Sequence, residues 1–551
     1  MTQWSLAFNA GKIPQNPDWE DGTLAAFGTK LQEAGDFLLA GEVWLSNRRE
    51  LCRKFELGEE DDDVRIMALL WAKEKEAILD ELHGAFAFAV YDRRKKKLQV
   101  IRDPIGARNI YIAHKDRSFW VSPRLRVAAS YVSKDVDLRA LRDYLCCSFV
   151  PGSQTLFKHV REVRPGEIYS IPERKSNYYW HIREDYHALE DQSLEWHAQR
   201  LRALLEHVVG EYLSSGDVDT GCYLSGGIDS SCIAALAKNL QPRDLHCYSI
   251  HFGKDCPNEL EFSGLVAEHI KARHHVIEIT AEQMWNLHEE SIAMLDDPIG
   301  DPLTVPNMIL ARHARKQTPI ILNGEGGDPC FGGPKNQPMM LDGLYRSAPP
   351  SKRELEATYL ASFQKCQADL SRLLLPRVWH AVKDSHSVFA DDLSSPGHYV
   401  NKLLLVNTKY KGADQILSKV NNITSAESVE GRSPLFDKRI VATSLTIPPQ
   451  YKLKGAQEKA VLKTAVQDLL PEAILSRPKS GMMVPVQYWF RERWQKQARQ
   501  LLLSKNACIR QYLDTRLVSR WLDYEDDVWG RFGVKLWLLS ALELWLKQNT
   551  R

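Results

Sequence analysis

Two short stretches hold the residues best suited to chemistry. In "GCYLSGGIDSSCIAAL", Gly221 to Leu236, two adjacent glycines and three serines surround one aspartate, between an apolar run and a helix-like repeat. Gly226 and Gly227 let backbone N–H groups close around an anion. The positive end of the following helix favours negative charge there, and Ser225, Ser230 and Ser231 add hydroxyl donors. Asp229 repels a bare phosphate, so its presence asks for a bridging cation such as Mg2+. The loop is not G-x-x-x-x-G-K-S/T, because no lysine follows to reach terminal phosphates. A serine nucleophile is disfavoured, since G-x-S-x-G is absent and the motif positions no histidine. A purely structural turn explains the glycines but not the aspartate. About a hundred residues on, "ILNGEGGDPCFGG" again places a strand before a glycine turn, now with Glu325 and Asp328.

The segments around these loops predict the frame that holds them. "GCYL", "LHCYSIHF", "HHVIEI" and "PIILN" have strand length. Helical patterns lie between them at Leu194–Leu213, "SSCIAALAKNL" and "ELEFSGLVAEHIKAR". In the second helix Ile233, Leu236, Ala237 and Leu240 recur at i, i+3, i+4 and i+7. Strands alternating with helices predict an α/β domain built on a doubly wound, mainly parallel sheet, with ligands beyond the carboxyl ends of its strands. From about Leu341 the chain reads as mostly helical. Before Trp180 it reads as short strands and turns, among them "DFLLAGEVWL", "GAFAFAVYD" and "SFWVSP", with one helix near Asp62 to Leu82. The polar stretch Arg183 to Trp196 reads as a linker.

The totals narrow the class. A chain of 551 residues suggests two to four domains. A net charge of +1 gives no field that seeks nucleic acid. "RRKKKLQVIR", Arg93 to Arg102, reads as an exposed hairpin turn rather than a basic patch. The ten cysteines form no C-x-x-C pair and read as reduced thiols. "LWLLSALELWL", Leu536 to Leu546, is too short to span a bilayer and reads as a buried helix despite Glu543. With no secretory signal visible, the reading is cytoplasmic, without membrane attachment. The sequence is compatible with a homo-oligomer.

S-G-G-x-D-S resembles the PP-loop of enzymes that cut ATP between its α and β phosphates. Together with the second loop, it resembles the synthetase domain of the asparagine synthetase and β-lactam synthetase superfamily, whose glutamine-dependent members read SGEGxDExFGGY. "DDPIGDPLTVPNMILARHAR", "SVEGRSPLFDKRIV" and "GAQEKAVLKTA" are similar to further segments of that domain. "HGAFAFAVYD", "RDPIGARNIYI" and "PGSQTLFKHVREVRPGE" are similar to the family's N-terminal domain. The resemblance implies an Ntn-hydrolase-like αββα sandwich over 1–190. Over 195–551 it implies a PP-loop, adenine-nucleotide α-hydrolase-like domain with a helical extension. It also implies roles. Leu224, Ser225, Gly226, Gly227, Asp229 and Ser230 would hold the pyrophosphate of ATP, and Asp229 and Asp328 would share Mg2+. Lys459, rather than Lys463 one turn on, would stabilise charge on the adenylate and leaving AMP. Glu325 would lie at the acceptor site, where lactam synthetases carry a tyrosine, and help deprotonate the amine.

The sequence also departs from that pattern. Glutamine-hydrolysing members begin with cysteine after the initiator Met; here Thr2 follows, and the expectation is a degenerate, cysteine-free glutaminase-like N-terminal domain. Ala40 stands in place of an asparagine, His83 in place of an aspartate, and no H-R-G-P-D-like stretch occurs among the first thirty residues. This predicts a folded domain that does not hydrolyse glutamine. In the synthetase half, Asn323 replaces serine, Pro329 replaces glutamate, and Asn421 and Asn422 replace an Asp-Arg pair, while the ATP-side residues are intact. The expectation is an ATP-dependent amide or lactam synthetase, resembling β-lactam synthetases and lasso-peptide macrolactam cyclases. It would join a small-molecule or peptide carboxylate to an amine. Three alternatives stay open: a divergent asparagine synthetase using ammonia or a separate glutaminase, a PP-loop tRNA-modifying enzyme, and a pseudo-synthetase scaffold.

Overall fold

The computed structural model describes residues 4–10, 16–183, 192–213, 218–241, 243–333, 350–454, 457–477, 483–528 and 530–550. Thr2, most of the expected linker, Leu341–Pro349 and Gly455–Ala456 lie outside the described residues. The chain divides into two compact units, Met1–Asp137 with Gly152–Ile182, and Leu138–Pro151 with Arg183–Arg551. The helix Leu138–Cys147 thus clusters with the second unit, although sequence order places it within the first.

The first unit stacks two antiparallel six-stranded sheets. One runs Val160–Glu162, Tyr111–Lys115, Ser118–Ser122, Ser5–Phe8, Leu24–Phe27, Trp19–Glu20. The other runs Lys175–Tyr178, Glu167–Ile171, Lys97–Arg102, Gly84–Asp92, Phe37–Leu45, Gln32–Ala34. Strand periodicity explains the layers. In Gly84–Asp92, Ala87, Ala89 and Tyr91 face the inter-sheet core with Leu6, Phe8, Val100 and Val121. Phe86, Phe88 and Val90 face the opposite core with Ile66, Met67, Leu70 and Trp71 of the helix Asp63–Glu74. The short helix Leu125–Ala129 packs on the other sheet, completing an αββα sandwich.

The single helix expected near Asp62 to Leu82 is instead a capped helix and a 3-10 turn, Lys75–Asp80. Asp62 accepts the Arg65 N–H at 2.7 Å, and Lys75 breaks the helix with φ of 52°. The basic stretch begins as a hairpin turn at Arg93–Lys96, as its composition suggested. Arg102, however, is wholly buried and donates to Arg108 O at 2.6 Å and Glu162 at 2.8 Å. Nor is the N-terminal region free of cysteine beyond its start: Cys52, Cys146 and Cys147 are all buried.

The second unit is built on a five-stranded parallel sheet. Its strands are β1 (Thr220–Tyr223), β2 (His246–His251), β3 (Arg273–Glu278), β4 (Ile320–Leu322) and β5 (Glu430–Arg432), in the order β3-β2-β1-β4-β5. Helix α1 (Leu194–Tyr212) leads in, capped by Ser193. Helices α2 (Ile228–Leu240) and α3 (Leu260–His269) make the crossovers, and α4 (Thr304–Ala314) precedes β4. The order reverses between β1 and β4, so the loops leaving these adjacent strands open at the switch point where such sheets bind ligands.

Helical segments follow, ending in Phe532–Asn549, whose apolar stretch is buried as its composition suggested. Glu543 is tolerated there because it accepts the N–H groups of Cys508 and Ile509, each at 2.9 Å. Lys535, at the start of the same helix, is fully buried between Asp369, at 2.5 Å, and Asp527. Lys535→Met removes the cation shared by the two buried carboxylates, although Arg372 still donates to Asp369 at 2.6 Å. It should cost about 3–5 kcal/mol in urea unfolding; a loss below about 1 kcal/mol would show the cluster to be dispensable.

Candidate active site

At the end of β1 the chain stays tied to the sheet for one more residue. Leu224 N–H donates to Tyr248 O at 2.9 Å, and Ser249 Oγ donates to Leu224 O at 2.6 Å. The chain then turns at Gly226, with φ of +76°, where any Cβ would stand 2.5 Å from the Ser263 N. Only glycine fits there. Ser225 and Ser230 close the loop on itself. Ser230 Oγ accepts the Ser225 N–H at 3.1 Å and lies 3.0 Å from Ser225 Oγ, while Gly227 N–H points to Ser225 Oγ at 3.3 Å. Arg477 grips the loop from outside. It donates to Gly226 O at 3.3 Å, pairs with Glu259 and stacks over Phe262 at 3.9 Å.

The loop after β4 interlocks with the first. A Cβ on Gly324 would lie 2.5 Å from Ser230 N, and one on Gly327 would lie 2.1 Å from Asp229 Oδ1. The interlock brings Asp229 and Asp328 to one point, where Lys459 Nζ donates to both, at 2.5 Å each. Lys459 caps the start of Ala460–Ala465 in the left-handed region, φ 56°, a conformation costing about 1–2 kcal/mol. Its N–H bond to Lys452 O, 2.7 Å, helps hold it there. Lys459, not Lys463, bridges the carboxylates; burial and the neighbouring Lys459 charge push the Lys463 ammonium below its usual range, opposed by Glu458 and Asp229.

Two carboxylate oxygens converging on one ammonium form a donor set that a small hard cation fits. Mg2+ takes one or two protein carboxylates and completes its shell with water and phosphate oxygens. Among the described residues no group of three or more His, Cys, Asp or Glu side chains gathers to hold a metal. Gly327→Ala should drive its methyl into Asp229 and lower AMP formation about 10²-fold, because misplacement by an ångström has that effect on positioned groups. Activity within about twofold of wild type would show that the loops have slack.

Glu325, on the second loop, faces a different set of groups. Burial raises its carboxyl above the usual glutamate range. Lys419 and Lys411 oppose this, while Asp301 and Asp328 add to it. Lys419 is buried and donates to Asp301 at 2.6 Å. Burial alone would lower its ammonium, but Asp301 and Glu325 outweigh it and hold the group charged. Asn323, Asn421 and Asn422, the departures in the sequence, are all buried in this half of the molecule. Lys419, Asp301 and Arg477 were not singled out by sequence. Asp301 lies within a quoted segment and Lys419 two residues before Asn421, yet nothing in either stretch pairs residues 118 positions apart.

In the first unit, Ala40 pairs with Ala89 and is part of the inter-sheet core. His83 N–H donates to Asn47 Oδ1 at 3.0 Å.

Residues 200–547 match the family Asparagine synthase, and residues 33–180 match the Glutamine amidotransferase domain. The chain belongs to the asparagine synthase family. It is accordingly an ATP-dependent carbon–nitrogen ligase. Similar proteins include asparagine synthetase 1 (glutamine-hydrolyzing) of Bacillus subtilis strain 168, 26% identical over 92% of this chain and 85% of that protein. Asparagine synthetase B (glutamine-hydrolyzing) of Escherichia coli K12 is 24% identical over 77% of this chain and 65% of that protein. Amidase chry2 of Gibberella zeae PH-1 is 22% identical over 78% of this chain and 74% of that protein. Among the described residues no helix is long and apolar enough to cross a membrane.

Proposed function

We propose that this family member adenylates a carboxylic acid other than aspartate and couples it to an amine that it does not obtain from glutamine. The observation that carries the reading is an asymmetry. The nucleotide side is complete, with Asp229, Asp328 and Lys459 converging within 2.5 Å contacts. The acceptor side and the glutaminase-like pocket both depart from the family pattern, at Asn323, Asn421, Asn422, Ala40 and His83.

The roles follow from the chemistry. A carboxylate is a poor acyl donor, so its oxygen attacks the α-phosphorus of ATP, the bond to the bridging oxygen breaks, and pyrophosphate leaves. Leu224 to Ser230 cradle that pyrophosphate with backbone N–H and hydroxyl groups. Asp229 and Asp328 would hold Mg2+, which would supply neutralising charge to the departing phosphates. Lys459 stabilises charge on the adenylate and leaving AMP. Glu325 takes the proton of the incoming amine. When acid and amine belong to one molecule the product is a lactam; otherwise it is an amide. Small-molecule or peptide acids and amines are the proposed partners, without nucleic acid.

A second reading, an asparagine synthetase using free ammonia, draws support from the named synthetases that align over most of this chain. A screen of carboxylic acids for AMP release, with hydroxylamine as trapping amine, separates the two. AMP with several acids but not L-aspartate supports the first reading; AMP with L-aspartate alone overturns it. Release of glutamate from glutamine by the purified chain would overturn the claim about the amine source.

A further inference from the structure

Asn323 ends the β4 segment and opens the second glycine loop, and its two side-chain ends are treated differently. Its Oδ1 accepts the Glu325 N–H at 3.0 Å, which fixes the orientation of the amide. Its backbone N–H donates to Arg432 O at 3.0 Å. Its Nδ2 meets no acceptor among the described residues, although the residue is only 4% exposed. The position lies between the pyrophosphate loop and Glu325 in the chain. The next residue, Gly324, packs against Ser230 of the pyrophosphate loop, and Glu325 follows directly. A buried donor with no acceptor destabilises a fold, and native structures hold few of them. Serine, which the sequence pattern expects here, could still accept the Glu325 N–H as a short turn-forming hydroxyl without placing an amide donor in this spot.

We infer that Asn323 is a catalytic residue, whose Nδ2 donates to the carbonyl oxygen of the acyl-adenylate while the amine adds. The inference rests on the amide-synthetase reading. The amine nitrogen bonds to the acyl carbon, and the carbonyl electron pair moves onto the oxygen held by Nδ2. That pair returns as the C–O bond to the AMP phosphate breaks, AMP leaves with its electron pair, and the amine proton passes to Glu325. The donor strengthens only as the oxygen gains charge, so it assists the second half-reaction and contributes little to adenylation. Its orientation is set before substrate arrives, because the Glu325 N–H already holds the other end of the amide.

The test compares the full-length wild type with Asn323→Ser and Asn323→Asp. Serine keeps an acceptor for the Glu325 N–H, and aspartate keeps the shape but replaces the donor. Adenylation is read by ATP–pyrophosphate exchange, and coupling by hydroxamate formation from hydroxylamine. The acids are L-aspartate, L-glutamate, N-acetyl-L-glutamate, hexanoate and benzoate. The expected result is exchange within about threefold of wild type, hydroxamate formation lowered about 10²- to 10³-fold, and a melting temperature of the serine variant equal to or above wild type. Hydroxamate formation within about threefold of wild type overturns the inference, as does a joint loss of exchange, coupling and melting temperature. A wild type that exchanges pyrophosphate with none of these acids overturns the synthetase reading, and the inference falls with it. Normal exchange and normal coupling in the variants overturn the inference alone.

Discussion

Asp229→Asn is expected to lower AMP formation by about 10²- to 10³-fold while the chain stays folded. Asp229 is the residue on which the two glycine loops meet. Its Oδ2 takes the Lys459 ammonium at 2.5 Å, and its carboxylate fills the space that a Gly327 side chain would need. The amide keeps that volume, so packing against Gly327 survives. Lys459, itself buried, still has Asp328 at 2.5 Å as its anion, which limits the loss of stability. What is lost is one of the two negative oxygens proposed to hold a cation beside the phosphates. Asp328→Asn should act in the same direction. The double variant should lose less than the product of the two single losses, because both carboxylates meet one lysine and, on the proposed reading, one cation. Chromatographic AMP quantification in the hydroxylamine screen, with thermal unfolding as the fold control, reads the result. AMP formation within about threefold of wild type in Asp229→Asn would sink the assignment, and a scaffold without catalysis would become the better reading.

The parts of this site that were legible in the sequence are those carried by contiguous residues. "SGGIDSS" and "NGEGGD" announce their turns through glycine and their chemistry through fixed neighbours. The 3.6-residue repeat of α2 places Ile233, Leu236 and Ala237 in the core as expected. Leu240, the fourth residue of that repeat, is exposed because the helix ends there. The parallel sheet was readable from alternating strands and helices, since each crossover leaves a local pattern. Contacts between remote segments leave none. Lys459 reaches Asp229 across 230 positions, and Lys419 reaches Asp301 across 118. The helix Leu138–Cys147 gives no sign in its own residues that Tyr144 will donate to Leu538 O. Arg102 shows the converse. Its neighbours made it look solvated, but the strand carries it into the interior, where Glu162 and backbone carbonyls receive it.

The pH dependence of coupling gives the sharpest view of the acceptor side. Glu325 can take a proton from the amine only when ionised. Burial, with Asp301 and Asp328, raises its carboxyl above the ordinary value of about 4.3, while Lys419 and Lys411 pull it back. The sign is therefore fixed. With Glu325 as the proposed base, amide formation should rise with pH on an acid limb above the ordinary glutamate range and level off once Glu325 is ionised. Glu325→Gln should remove that limb and lower coupling about 10²- to 10⁴-fold, with ATP–pyrophosphate exchange retained. Two further variants move the limb in opposite directions. Lys419→Met removes the cation that favours the ionised form, so the limb shifts to higher pH. Asp301→Asn removes a nearby anion, so the limb shifts lower. Damage to the buried Lys419–Asp301 pair by itself would depress both variants alike and leave the limb where it was. Opposed shifts therefore require that both charges act on one titrating group that limits coupling. Coincident limbs in all three enzymes would remove Glu325 from the role of base and leave the amine to arrive already deprotonated.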